Sequence, residues 1–363
     1  VFENYRQIPM PVSYGVINMG MDEKELQSEG TKAPREKWNV KKDLLISSVV
    51  LTSTAAFFKV AGDVIGRHFY KLAIARNDKT ELSGSLRSSQ NIGEIPQFVK
   101  DTIEKQRNFM NEFTEAYHPE EVDLESQDHL KLHGYRFFVH PDSHRWVIPL
   151  HGYMNQGSDM FFFAAEFAQH GFNALVPDLR GAGKSEGDYI GMGWDDRLDV
   201  IGWIHRIITE DPQARIIVYG ISMGAATAMM TAGEDLPENV AAIVEDCGYT
   251  SVADEFSYEL HNLFSLPKFP VLPLADRAIR GKAGFSIYKA SAVEQLKKAR
   301  VPMLFIHGDK DTFVPTEMVY KVYDAAPVEK ELMIIKDAPH ASSSFVHPER
   351  YFSGIFSFIE KYI

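Results

Sequence analysis

Hydrophobic and polar positions follow two different rules along this chain, and the change comes near residue 121. Beyond it, short apolar runs rich in Val, Ile and Leu alternate with stretches of helical periodicity. The runs LHGYRFFVH, RWVIPLHG, NALVPDLRG, ARIIVYG, VAAIVEDCG, VPMLFIHGD and KELMIIKDA predict strands. Between them, SDMFFFAAEFAQHG, WDDRLDVIGWIHRII and the small-residue run from Gly224 to about Ala232 predict helices, and HPERYFSGIFSFIEKYI predicts a closing amphipathic one. Strands alternating with helices specify a mostly parallel sheet with crossover helices on its faces, an α/β architecture.

Upstream of 121 that alternation is missing. Residues 1–43 are polar and aperiodic, with Pro9, Pro11 and Pro34 scattered through them, and predict a weakly ordered leader. The run LLISSVVLTSTAAFF at 44–58 carries no charge and follows Arg35, Lys37, Lys41 and Lys42. A short apolar run behind a basic flank has the pattern of a membrane anchor over 44–61, with the body of the chain outside the cytoplasm. Spanning a bilayer takes about 20 residues, however, and Lys59 and Asp63 interrupt early. The competing expectation is a packing helix that continues through VAGDVIGRHFYKLAIAR in a cytoplasmic protein. PQFVKDTIEKQRNFMNEFTEAY predicts a further helix, so 44–120 reads as an N-terminal helical segment and 121–363 as the main domain.

The stretch from about 250 to 298 is far longer than one loop and one crossover helix require. It carries Phe256, Leu263, Phe264, Phe269 and Leu272, broken by Pro267, Pro270 and Pro273. An apolar insertion at the carboxyl end of a parallel sheet is where a cap over a pocket sits.

Composition narrows the class without naming it. The 363 residues are 45% hydrophobic and 24% charged, ordinary values for a folded chain, and a formal net charge of −12 argues against a nucleic-acid-binding surface. A single cysteine, Cys247, excludes an intramolecular disulfide framework and a thiolate metal cluster.

The candidate chemistry centres on residues 216–226, IIVYGISMGAA. An apolar strand ends in Gly220-Ile221-Ser222-Met223-Gly224 and runs straight into small, helix-permissive residues, the strand–turn–helix setting that the G-x-S-x-G pattern needs. The pentapeptide alone arises by chance in roughly one chain in ten of this length. A serine nucleophile also requires a base, and the base a carboxylate. After VPMLFIHG comes Asp309-Lys310-Asp311, and after KELMIIKDA comes Pro339-His340. Ser222, Asp311 and His340 therefore follow in order, each past its own strand. Asp309 competes with Asp311 and would otherwise cap the turn; His347 competes with His340 but precedes Pro348 at the start of the last helix. Asp246 reads as a structural loop carboxylate and Cys247 as a small buried side chain. For the oxyanion, the Met223 amide and a donor from the loop Leu150-His151-Gly152-Tyr153 are required, with Tyr153 the candidate and His151 a loop-ordering residue.

Other motifs fail. Gly181-Ala182-Gly183-Lys184-Ser185 echoes a phosphate-binding loop, but Asp178 stands where its first glycine belongs, and Glu186 breaks the G-x-G-x-x-G spacing. No metal spacing stands out, and no cofactor is expected.

The stretches HGYMNQGSDM, VPDLRGAGKSEG, YGISMGAATAMM, EDCGYTS, FIHGDKDTFVP and APHAS resemble the α/β-hydrolase superfamily across about residues 125–363. They look closest to its monoglyceride-lipase and serine-aminopeptidase-like branch and are similar to bacterial membrane-anchored or cell-surface members. Ala182 departs from the histidine many relatives carry in that loop. The resemblance implies an α/β-hydrolase fold with Ser222 as nucleophile, Asp311 as acid, His340 as base, and the Tyr153 and Met223 amides as oxyanion hole. An apolar cap suits small-molecule carboxylic esters with apolar or aromatic acyl groups, cleaved through an acyl-enzyme. Two alternatives stay open: an aminopeptidase-like peptidase or amidase, with Glu255 or Glu259 anchoring a free amine, and a non-catalytic binding module.

Overall fold

The computed structural model describes residues 60–76 and 96–363; the expected leader over 1–43 and the anchor-like run up to residue 59 lie outside the described residues. Eight strands, β1 (Glu120–Glu125), β2 (Lys131–Phe137), β3 (Arg145–Leu150), β4 (Asn173–Pro177), β5 (Arg215–Ile221), β6 (Val240–Asp246), β7 (Met303–Gly308) and β8 (Lys330–Ile335), make one sheet. Their order is β1-β2-β4-β3-β5-β6-β7-β8. Pairing is parallel from β4–β3 through β7–β8. β2 runs antiparallel to both of its neighbours, so the first expected strand joins the sheet against the common direction.

Burial on both faces explains why the central strands read as unbroken apolar runs. Along β5, Ile216 and Val218 enter one core while Ile217 and Tyr219 enter the other, as the two-residue period of a strand requires. Fully burying one such aliphatic side chain contributes about 1.5–3 kcal/mol.

The helices are α1 (60–69), α2 (Gln97–Ala116), α3 (Phe161–Gln169), α4 (Asp196–Glu210), α5 (Met223–Ala232), α6 (Val252–Phe264), α7 (Lys268–Ala283), α8 (Ala292–Leu296), α9 (Glu317–Ala325), α10 (Ser343–Val346) and α11 (Pro348–Ile359). Phe167 of α3 and Tyr351, Ile355 and Phe358 of α11 pack with Ile217 and Tyr219. Trp203 and Ile204 of α4 and Met229 of α5 pack with Ile216 and Val218. The insertion expected over 250–298 holds α6, α7 and α8 between β6 and β7. Ser251 starts α6 by accepting the Asp254 amide at 3.0 Å, a side-chain N-cap.

One strand escapes the pattern reading. The strand β1, EEVDLE, buries only Val122, and Glu120, Glu121, Asp123 and Glu125 hide its strand character. As an edge strand it keeps those charges in solvent, pairing Glu121 with Lys184 and Asp123 with Lys131. The packing helix expected over VAGDVIGRHFYKLAIAR is α1, which passes into a π turn over Tyr70–Ile74 and is tied to the main domain by hydrogen bonds. The Ile190 amide donates to the Ile74 carbonyl at 2.8 Å, and Arg76 donates to the Gly183 carbonyl at 2.8 Å. Among the described residues no helix is long and apolar enough to cross a membrane.

Candidate active site

Ser222 sits between the last residue of β5 and the first of α5, at φ 57°, ψ −116°. A non-glycine residue held in so sparsely populated a conformation costs about 1–3 kcal/mol. The surrounding fold enforces it: the Ser222 amide donates to the Asp246 carbonyl at 2.8 Å, and the α5 backbone crosses β3 and β5 too closely for side chains at the two flanking glycines. A Cβ at Gly220 would strike the Gly224 carbonyl, and one at Gly224 would strike the carbonyl of Leu150. Strand, turn and helix are thus locked together by the G-x-S-x-G spacing.

The structure brings all three sequence-predicted side chains together. Ser222 Oγ lies 2.9 Å from His340 Nε2. On the other side of the ring, His340 Nδ1 donates to Asp311 Oδ2 at 2.7 Å. That acceptor fixes the proton on Nδ1 and leaves Nε2 free to accept from the serine hydroxyl. Asp311 is itself saturated: its Oδ1 accepts the Phe313 and Val314 amides, each at 2.9 Å. Burial would push this carboxyl up, but the His340 charge and hydrogen bonds from His307 and His340 outweigh it and hold the group at about 2.

His307 is the site residue that sequence reasoning missed. It is fully buried on β7, and its Nε2 lies 3.2 Å from Asp311 Oδ2 and 2.9 Å from the Val314 carbonyl. It grips the acid and the loop that carries it. The available signal was a histidine inside an apolar strand, four residues before the acid.

The rivals have other occupations. Asp309 accepts the Asp337 amide at 2.6 Å and so pins the loop after β7 to the loop after β8. His347 is the N-cap residue of α11. Asp246, pushed up to about 6 by burial, accepts the Tyr351 hydroxyl at 2.8 Å, and that hydroxyl also meets Tyr219. His151 accepts the Leu179 amide at 3.0 Å through Nε2 and orders the loop after β3. Cys247, Asp311 and His340 hold donor atoms within 4.8 Å of one another. Burial and the nearby Asp246 and Asp311 carboxylates push the Cys247 thiol well up, however, which opposes the thiolate a metal needs.

The loop holding Gly152 and Tyr153 runs beside the serine, since a Cβ at Gly152 would sit 3.6 Å from Ser222 Cβ. Met223 is the first residue of α5, where helix amides have no intrahelical partner. Met223 follows Ser222 directly, and the loop that carries Tyr153 lies alongside it. The Tyr153 ring lines the adjoining cavity, and its hydroxyl donates to the Ala73 carbonyl at 2.6 Å.

That cavity opens on Ser222 and encloses about 830 Å³ of space free of protein atoms, its mouth included. Phe256 and Leu260 of α6 and Leu272 of α7 form part of its wall. Phe69 and Ala73, from α1 and the turn that follows it, form another part. A mostly apolar lining beside the serine suits a small apolar molecule. The phosphate-loop echo at 181–185 is not a second site. Its turn closes around Asp178, whose carboxylate accepts the Lys184 and Gly157 amides at 2.9 and 2.7 Å and so takes the place a phosphate would fill.

Comparison with known proteins places this geometry. Residues 141–264 match the family model of serine aminopeptidase, S33, a span that includes Ser222 and ends before Asp311 and His340. The chain is 25% identical over 230 residues to the uncharacterized protein YqkD of Bacillus subtilis (strain 168), covering 63% of this chain and 75% of that one. Among solved structures, the esterase Pf2001 of Pyrococcus furiosus superposes with a TM-score of 0.56 at 23% identity, covering 75% of this chain and 96% of that one. An acylaminoacyl peptidase of Pyrococcus horikoshii superposes with a TM-score of 0.54 at 19% identity, covering 68% of this chain and 42% of that one. With its eight-stranded, mostly parallel sheet and its serine at the strand–helix elbow, the chain has the α/β-hydrolase fold.

Proposed function

We propose that the chain is a serine hydrolase that cleaves carboxylic esters of apolar substrates through an acyl-enzyme. The observation that carries the reading is the continuous hydrogen-bonded line from Asp311 through His340 to Ser222, ending at the mouth of an apolar cavity. Ser222 Oγ attacks the acyl carbonyl while His340 Nε2 takes its proton; the C–O bond of the ester then breaks as His340 returns that proton to the departing alcohol. Water repeats the sequence on the acyl-serine and releases the acid. Asp311 stays ionised throughout and stabilises the imidazolium. The Met223 and Tyr153 amides receive the oxyanion.

A fluorophosphonate probe tests the nucleophile. Labelling is expected on Ser222 and lost in Ser222→Ala, together with on the order of 10⁴- to 10⁶-fold in kcat. An unlabelled Ser222 would favour the non-catalytic binding module instead. Peptide cleavage is a second reading, supported by the family match to serine aminopeptidase and by the acidic residues Glu255 and Glu259 at the cavity. Hydrolysis of p-nitrophenyl alkanoates without turnover of aminoacyl p-nitroanilides supports the ester; the reverse selects the peptidase.

A further inference from the structure

The cavity beside Ser222 is hydrocarbon nearly everywhere except on one face of α6. Glu255 and Glu259 stand four residues apart there, on the same side of the helix, and both line the cavity. Glu255 is only 4% exposed, and neither of its carboxyl oxygens has a hydrogen-bond partner. Glu259 leaves its Oε2 unpaired as well. The triad uses neither group. The same wall is filled by Leu260 and Leu263, so hydrocarbon fits this part of the helix and spares the cost of an unpaired buried acid. Burial pushes Glu255 well above the usual carboxylate range, reinforced by Glu259, Asp311 and Asp254. Burial without a partner therefore favours the protonated form, whose O–H donor and carbonyl acceptor are both unmatched.

We propose that Glu255, with Glu259 beside it, forms a polar subsite inside the acyl pocket that takes a hydroxyl carried on the hydrocarbon part of the substrate. This rests on the hydrolase reading of the same cavity. A hydroxyl both donates and accepts, so it matches both halves of a neutral carboxyl. An ammonium offers donors only and leaves the acid O–H without an acceptor. A plain alkyl chain leaves both halves idle, and an anionic group meets Glu255, Glu259 and Asp311 together.

Binding to the full chain carrying Ser222→Ala tests the subsite without turnover. Calorimetry would compare methyl octanoate, its monohydroxy isomers with the hydroxyl moved from C4 to C8, and methyl 8-aminooctanoate. One hydroxy isomer is expected to bind at least tenfold tighter than methyl octanoate, since a site built to bond a hydroxyl penalises its absence. Adding Glu255→Leu, or Glu255→Met if the leucine variant unfolds, should erase that preference. Glu255→Gln, which keeps a donor and an acceptor, should retain part of it. Equal binding of all esters, tightest binding of the amine, or a preference that survives Glu255→Leu would overturn the proposal. Phosphonate labelling of Ser222 in the unchanged chain judges the hydrolase reading separately.

Discussion

Asp311 and Glu255 are both buried carboxyls beside Ser222, and the fold treats them in opposite ways. Asp311 is met by two backbone amides and two histidines and is held at about 2. Glu255 is met by no hydrogen-bond donor and is pushed well up. Burial is common to both, so the difference lies in the partners each receives. Charge is kept beside His340 and suppressed along the apolar wall of the cavity.

Removing the charge on one side of this comparison should have the larger effect. Asp311→Asn keeps the shape of the acid but presents an amide to His340 Nδ1, which favours the wrong imidazole tautomer; kcat is expected to fall by about 10⁴, read in steady-state ester hydrolysis.

Stability against pH should then separate the two environments. Asp311 lies below the unfolded aspartate value of about 3.9, so its contribution is complete above that pH and is lost as pH falls through about 2. Glu259 lies the other way: burial raises it to about 7, so its protonated folded form is favoured, and stability is lost as pH rises from the unfolded value of about 4.3 through about 7. Thermal unfolding of Asp311→Asn should therefore show a flatter acid limb than the parent chain. The advantage of Glu259→Gln over the parent should grow between those two pH values and level off above them.

The smallest effect is expected at the neighbouring carboxylate. Asp309 fastens two loops rather than touching His340. Asp309→Ala should lower kcat/KM by less than about tenfold through loop loosening, well short of the loss at Asp311. Comparable losses at both positions would erase the distinction between them.

Much of this site was legible in the sequence because its residues sit where strands end. An apolar run that stops at a glycine marks a sheet edge, so Ser222, Asp311 and His340 could be ordered before any distance was known. His307 was hidden by the strand around it: its partner Asp311 is visible only once the chain turns back. The charges of β1 masked a strand that forms by pairing with β2, a tertiary effect that local pattern does not record. For the same reason the periodicity of 60–76 announces a helix but not the cavity wall that Phe69 and Ala73 supply.

That wall carries a lesson about inheritance. The reactive groups all lie between residues 222 and 340, whereas one flank of the pocket comes from Phe69 and Ala73, before the first strand of the sheet. Part of the pocket's shape is thus written in a stretch of the gene far from the reactive groups. Exchanging the upstream stretch between homologues would be a route to new substrate preference that leaves the bond-breaking apparatus untouched.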